Sequence, residues 1–359
     1  MRSWRAWLGI IISLVFLYVA FRGQDLGEVR DALGEVNYWY LFPALGLYFL
    51  GVWVRAIRWS ILLRPVVTIR PRETFPIVIV GYMANNVLPL RTGELVRSFM
   101  LGRRFGVRKT TSLATIAVER LFDGLTMLAF MLSATAFVSF TSELRHLALI
   151  TFVLFTGLLL GLFVLTLGGD LRDRLLQLVL GPLPTSLADR VERLTESFLS
   201  GLGVLRRKSD LGLVAGTSLL AWLCEAGMFW TIARGFGASL RDQVGIAATL
   251  LTTGVANLAT LIPSSPGYVG PFESGVTLVV NGALDVPREV ALSYAIVVHA
   301  ALWFPITLIG LFVWWRQHLS LGDVRADEPD SSGDDAESTA NSITRPGRDR
   351  ISGDAAIRP

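Results

Sequence analysis

The stretch that decides the fold reads Asn85-Asn86-Val87-Leu88-Pro89-Leu90-Arg91-Thr92-Gly93-Glu94. A second stretch repeats its plan: Asn257-Leu258-Ala259-Thr260-Leu261-Ile262-Pro263-Ser264-Ser265-Pro266-Gly267-Tyr268-Val269-Gly270-Pro271-Phe272-Glu273. Each has an Asn, an apolar–Pro step, a Gly, and then a Glu that opens a new apolar run. Proline lacks an N–H and glycine costs backbone entropy, so both stop helices. A helix broken at membrane depth leaves backbone groups that hydrocarbon cannot satisfy. Such breaks persist inside protein or beside a water-filled cavity, and a pair in corresponding halves points to a transporter's binding site.

Composition supplies the membrane. Of 359 residues, 52% are hydrophobic and 17% charged, a balance too apolar for a soluble domain of this length. Several uncharged runs approach the roughly 20 residues needed to cross a bilayer as a helix. The formal charge is +4, and residues 317–359 hold nine acidic and five basic side chains, so the apolar part is the basic part. That suits contact with anionic headgroups. Cys224 stands alone, so neither an internal disulfide nor a thiolate metal site can form, and His146, His299 and His318 are too scattered for a metal cluster. Neither a metal nor another cofactor is expected, and nothing points to nucleic acid.

Full spans are expected near 6–22, 39–60, 111–139, 147–167, 211–233 and 289–315. The first begins Met1-Arg2-Ser3-Trp4-Arg5 and lacks a small-x-small cleavage site before Arg22, so it reads as a retained span. The broken stretches, about 75–104 and 245–284, have limbs of roughly 11–18 residues, short for two spans and suited to re-entrant hairpins. Arg2 and Arg5 place the amino terminus in the cytoplasm by the positive-inside rule. The acid-rich loop 23–38 then lies outside. A re-entrant first hairpin keeps Arg103, Arg104, Arg108 and Lys109 inside, whereas a single broken crossing would put them outside. The second hairpin then opens from the opposite face, giving an inverted pair, and the carboxyl terminus is cytoplasmic. The expected fold is an all-α integral membrane protein with about six full transmembrane helices and two inverted re-entrant hairpins, eight hydrophobic segments in all. The repeat is faint in sequence; beyond the breaks it rests on one shared offset, Val107 to Arg120 and Val286 to His299. Residues 1–316 form the membrane domain, including an amphipathic cytoplasmic helix at about 186–206 with Leu187, Val191, Leu194, Phe198, Leu202 and Leu205 on one face. Residues 317–359 are too polar to bury a core and read as a disordered acidic tail.

Charged residues inside apolar runs are candidate site residues, because one at helix centre costs about 2.5–3.5 kcal/mol on insertion scales. Arg91 and Arg97 flank the first break, where a helix restarting near Thr92 offers free N–H groups and a positive dipole end to a phosphate. Glu94 there either caps that helix or pairs with Arg97. Glu119 and Asp123 share one helix face and Arg120 is within reach of Asp123. This trio is expected to face the bundle interior. Arg55 and Arg58 read either as snorkelling to headgroups or as a phosphate clamp. The headgroup-binding candidates are Arg91, Arg97, Arg120 and Arg58; the polar core is Glu94, Glu119, Asp123, Glu225 and His299. Glu225 and His299 stand isolated in their runs, as hydrogen-bonding groups or as a proton-coupling group. The breaks themselves are marked by Asn85, Pro89, Gly93, Asn257, Pro263, Pro266, Gly267 and Glu273. There is no P-loop, no G-x-S-x-G and no H-E-x-x-H, so no catalytic residue is assigned and an enzyme is not expected.

Three of these segments together carry a resemblance. Asn85 to Arg97, continuing through Leu101-Gly102-Arg103-Arg104 and Val118-Glu119-Arg120-Leu121-Phe122-Asp123-Gly124, is similar to the membrane region of lysylphosphatidylglycerol synthase/flippase proteins. So are Ile262 to Glu273 and Arg55-x-x-Arg58-Trp59-x-x-Leu62-Leu63. The likeness covers roughly residues 5–316. It implies a flippase-like fold in a bacterial or archaeal inner membrane, and a phospholipid or lipid-linked substrate. The studied relatives carry a cytoplasmic aminoacyl-transferase domain after the membrane region, whereas only about 43 residues follow Arg316 here. The resemblance therefore does not imply lysyl transfer. The expected function is movement of an anionic or modified lipid between leaflets. The alternative is a non-transporting protein that presents a lipid to a separate glycosyl- or aminoacyl-transferase. Whether the chain forms a homo-oligomer stays open.

Overall fold

The structure, a computed structural model, describes residues 26–88, 92–139, 141–167, 208–262 and 264–316, with the isolated positions 11, 13–16, 18, 199 and 201–202. Every regular element among them is helical. In chain order they are α1 (Leu26–Gly34), α2 (Leu41–Leu63), α3 (Pro71–Val87), α4 (Gly93–Phe105), α5 (Lys109–Ala134), α6 (Ser142–Leu167), α7 (Lys208–Arg234), α8 (Ala238–Arg241), α9 (Ile246–Ala259), α10 (Pro271–Val280) and α11 (Arg288–Arg316). Most of the expected first span, the amphipathic segment and the acidic tail lie outside the described residues.

Three helical stretches among the described residues are long and apolar enough to cross a membrane: Tyr38–Leu63, Ser209–Arg234 and Arg288–Arg316. Around a largely apolar core the bundle exposes large hydrophobic side chains and buries several charges. Leu149, Ile150, Phe152 and Val153 on α6, and Phe304, Leu308 and Phe312 on α11, are exposed, while Arg55, Arg58, Arg97 and Glu119 are buried. Hydrocarbon accepts the first set and forces the second to pair internally.

The two broken stretches fold back on themselves. α3 and α4 have 17 and 13 residues, roughly 26 and 20 Å long at the α-helical rise. The turn reverses the chain: Asn85 Oδ1 accepts from the Gly93 N–H at 2.7 Å, and a Cβ at Gly81 would lie 2.5 Å from Arg97 Cγ. Residue 81 beside 97 and 85 beside 93 is the pairing of an antiparallel helical hairpin. α9 and α10, of 14 and 10 residues, do the same; a Cβ at Gly275 would meet Ala256 Cα at 2.9 Å and Ala259 Cβ at 3.0 Å. The second turn carries positive φ at Gly267 (79°), Tyr268 (61°) and Gly270 (100°).

The packing also repeats. α2 and α7 lie against each other at the centre, α3 packs on α11 and α9 on α5, and α4 lies on α5 as α10 lies on α11. Exchanging α2–α5 with α7 and α9–α11 carries the α2–α7 contact onto itself and each of the others onto its counterpart. Each long helix therefore supports its own hairpin and braces the opposite one.

The loop expected at 23–38 contains α1. Val29 buries against Leu292 of α11, with Leu33 and Ile296 alongside, and Ser293 Oγ donates to the Val29 carbonyl at 3.1 Å. Tertiary packing orders a nine-residue helix that would be marginal alone.

Candidate functional site

The first hairpin and α5 hold an ion cluster. Arg97 grips Glu119 with two nitrogens, at 3.0 and 2.9 Å, and its guanidinium lies over the Trp59 ring at 4.2 Å. Arg58 reaches from α2 to Asp123 at 2.6 Å and Glu119 at 3.3 Å, and donates to Ser218 Oγ at 2.8 Å. Trp222 Nε1 donates to Asp123 Oδ1 at 2.7 Å. Arg120 bridges Glu94 at 3.2 Å and Asp123 at 3.4 Å. The cluster holds three guanidiniums and three carboxylates, so it is neutral as a whole, the condition for surviving burial.

Arg120 differs from its two neighbours. Arg58 and Arg97 are 0% and 2% exposed and are held by short contacts. The Arg120 side chain is 31% exposed, and its two ion pairs, at 3.2 and 3.4 Å, are long. It also lines a cavity of about 130 Å³ between the halves, room for several waters or a small polar group.

Both breaks contribute to that cavity. Asn85 and Asn86 come from the first, and Asn257, Thr260 and Tyr268 from the second. Arg55, Glu225 and His299 complete its polar wall, and Tyr48, Tyr82, Trp222, Phe272 and Trp303 its aromatic one. The turns themselves touch: a Cβ at Gly267 would lie 2.6 Å from Trp303 Nε1 and 3.5 Å from the Asn86 carbonyl. Asn86 Nδ2 donates to Thr307 Oγ1 at 2.9 Å, tying the first turn to α11. Ser13 Oγ accepts from the Ser265 N–H at 2.8 Å, so the amino-terminal segment reaches the second turn.

Glu225 and His299 are not isolated. Arg55 pairs with Glu225 at 2.7 Å and sits 4.5 Å from the Trp222 ring centre; Asn257 Nδ2 donates to Glu225 Oε1 at 2.9 Å. His299 Nδ1 lies 2.5 Å from Glu273 Oε1, whose other oxygen accepts from the Gly270 N–H at 2.7 Å. Glu94 pairs with Arg120, not with Arg97. Among the candidates, Asn85, Arg120, Glu225, Asn257 and His299 line the cavity, and Glu273 is bonded to one that does. Arg58 and Arg97 are absent from its wall, as are Glu119 and Asp123. Gly93 sits at the hairpin closure, and Pro266 and Gly267 form the second turn. Arg91, Pro89 and Pro263 lie outside the described residues. The aromatic wall was missed, because Tyr48, Tyr82, Trp222 and Trp303 sit in apolar runs where an aromatic residue reads as core or interface. The one available signal was their recurrence beside charged residues, as in Trp222 three positions before Glu225. Among the described residues there is no cluster of His, Cys, Asp or Glu able to hold a metal.

The chain is similar to several archaeal proteins. Glycosyltransferase AglD of Haloferax volcanii is 24% identical over 322 residues, 81% of this chain and 51% of its own length. This chain thus spans about half of that relative. A UPF0104 membrane protein of Methanothermobacter thermautotrophicus is 25% identical over 317 residues, covering 84% of this chain and 92% of the relative. A second UPF0104 membrane protein from that organism is 26% identical over 290 residues, 76% of this chain and 82% of its own. No solved structure matches the chain. Residues 6–310 match the family described as the lysylphosphatidylglycerol synthase TM region, and with its apolar exterior and paired interior charges the chain is a membrane protein that belongs to that family.

Proposed function

We propose that this protein moves a lipid between leaflets by receiving its polar headgroup in the cavity between the two broken hairpins. The observation that carries the reading is Arg120. It is the loosely paired, half-exposed cation on the wall of a cavity to which both breaks contribute. A phosphate there would displace Glu94 from a long ion pair and gain a charge-assisted bond to a guanidinium. Arg58 and Arg97 would hold the surrounding frame through Glu119 and Asp123. The acyl or prenyl chains would stay in hydrocarbon, against the apolar exterior. In this reading the two hairpins are re-entrant and open from opposite faces, the long helices make six full spans, and both termini are cytoplasmic, the arrangement that alternating access uses.

The test is reconstitution. Purified protein in vesicles is given a phospholipid with a fluorescent headgroup, and transfer is read by its protection from an impermeant quencher. Arg120→Ala should abolish transfer while the protein still folds. Undiminished transfer by that variant would remove Arg120 from the mechanism.

A second reading has its own observation. AglD is named a glycosyltransferase, and this chain matches only about half of its length. In that reading the membrane unit presents a lipid-linked substrate to a separate transferase and moves nothing itself. Co-purification with such an enzyme, together with no headgroup transfer by the purified protein, would favour it.

A further inference from the structure

Glu94 and Arg120 are 26 residues apart, and so are Glu273 and His299. Each acid stands in the first turn of a returning limb, α4 or α10. Each partner stands on the long helix that follows, facing the same cavity. The halves thus carry equivalent pairs, with one chemical difference. Arginine cannot release its proton in a protein; histidine changes charge near neutrality.

The protons on the second pair can be counted. His299 Nε2 is 2.8 Å from the Gly267 carbonyl oxygen, which only accepts, so Nε2 carries a hydrogen. His299 Nδ1 and Glu273 Oε1 at 2.5 Å need a further proton between them, since two lone pairs would repel at that distance. The pair therefore holds two protons, as imidazolium with carboxylate or as imidazole with carboxylic acid. With one proton fewer, either Nδ1 faces the carboxylate unprotonated or Nε2 faces the carbonyl unprotonated. Either way one bond between α11 and the second break is lost. The lost contact would fall at Gly267, a left-handed position in the turn, or at Glu273, which closes that turn through the Gly270 N–H.

The surroundings do not supply a competing charge. Phe272 lies against the ring, 4.6 Å between centres. The other titratable or charged groups on the cavity are Tyr48 and Arg55 from α2, Tyr82 from α3, Arg120 from α5, Glu225 from α7 and Tyr268 from the turn. Arg55 and Glu225 neutralise each other, and Arg120 is held by Glu94 and Asp123.

We infer that His299 and Glu273 form a proton-binding site that clamps the second break to α11 when loaded and frees it when one proton leaves through the cavity. Resting on the translocation reading, the bound proton is the coupling ion, and the second hairpin is the element it gates. The first hairpin, anchored through the buried Arg97–Glu119 pair, is the fixed wall.

The experiment uses the full chain in lipid nanodiscs. Hydrogen–deuterium exchange of residues 264–272 is followed between about pH 5 and 8, corrected for the intrinsic pH dependence of amide exchange. The wild type should show a one-proton step in protection. His299→Arg, which copies the Arg120 arrangement, should remove the step. So should His299→Gln, which serves if the arginine variant does not fold; retained protection in α2 and α7 reports folding. Protection independent of pH in the wild type, or an unchanged step in a folded variant, would overturn the site. A parallel arm measures transfer of the fluorescent phospholipid in vesicles with and without a pH gradient. A proton step with no transfer leaves the site standing and sinks translocation. Transfer that ignores the gradient, with no proton step, sinks the site and leaves translocation standing.

Discussion

The two hairpins share a plan and differ in what holds them. The first is fixed by charges that cannot be switched off: Arg97 and Arg58 clasp Glu119 and Asp123 beneath it, and Arg120 bridges Glu94 to Asp123. Among the described residues the second is held by a His–Glu pair, a backbone cap, an amide contact from Asn257 to Glu225 and a hydrogen bond from Ser265 to Ser13. In an alternating-access design this asymmetry has a use. Under the proposed translocation one half would serve as a rigid frame, and the other would open at modest cost.

The largest expected effect tests the frame. Arg97→Ala leaves Glu119 with one partner and one excess negative charge in a buried cluster, a loss of about 3–5 kcal/mol for a buried pair broken on one side. The variant should melt well below the wild type in nanodiscs. Arg97→Met combined with Glu119→Gln keeps the cluster neutral and should recover part of that loss. His299→Ala should cost less, because Glu273 keeps its Gly270 N–H and can take up a proton. Equal melting temperatures for Arg97→Ala and His299→Ala would erase the distinction between the halves.

The next effect tests the turns. A Cβ at Gly93 would lie 2.1 Å from the Gly81 carbonyl oxygen and 2.6 Å from Asn85 Oδ1. The first of these is backbone inside the hairpin, so Gly93→Ala should force the limbs apart at the upper end of the roughly 1–3 kcal/mol that overpacking costs. At Gly267 the clash is with the indole of Trp303, a side chain that can turn away. Gly267→Ala should therefore cost less, the remainder being its left-handed backbone. Thermal unfolding of the two variants side by side checks the order, and a reversed order would make the second hairpin the stiffer one.

Much of the architecture was legible because membrane helices announce themselves by length and the breaks by Pro and Gly. The observed α3–α4 and α9–α10 limbs fall close to the stretches expected at 75–104 and 245–284. The neighbourhood of Arg120 with Glu119 and Asp123 was legible because it is local, three or four residues on one helix. The partners of the remaining charges were not. Arg58 meets Asp123 across 65 residues and Arg55 meets Glu225 across 170. No local spacing encodes a contact made by helix packing, so Glu225 and His299 looked solitary and Arg58 looked free for a ligand. α1 was hidden for the same reason, since its stability comes from Leu292 and Ile296, far along the chain. The equal spacing of Glu94–Arg120 and Glu273–His299 was present in the sequence, but nothing marks it as a pair of contacts until the hairpins are seen to fold back.

The smallest expected effect compares the two asparagines that open the breaks. Asn85 is an acceptor, and Asn85→Ala orphans the buried Gly93 N–H at the hairpin closure, a loss of about 1 kcal/mol by analogy with helix caps. Asn257 is a donor, to Glu225 Oε1 and the Thr253 carbonyl. After Asn257→Ala, Glu225 still holds Arg55 at 2.7 Å, and no buried N–H is stranded, so the loss should fall below that of Asn85→Ala. The difference is small enough to need both variants measured in one denaturation series. Its sign matters more than its size. If Asn257→Ala proves the more damaging, the second break is held by its amide rather than by its proton, and the His299–Glu273 pair is left as one support among several instead of the clasp that opens.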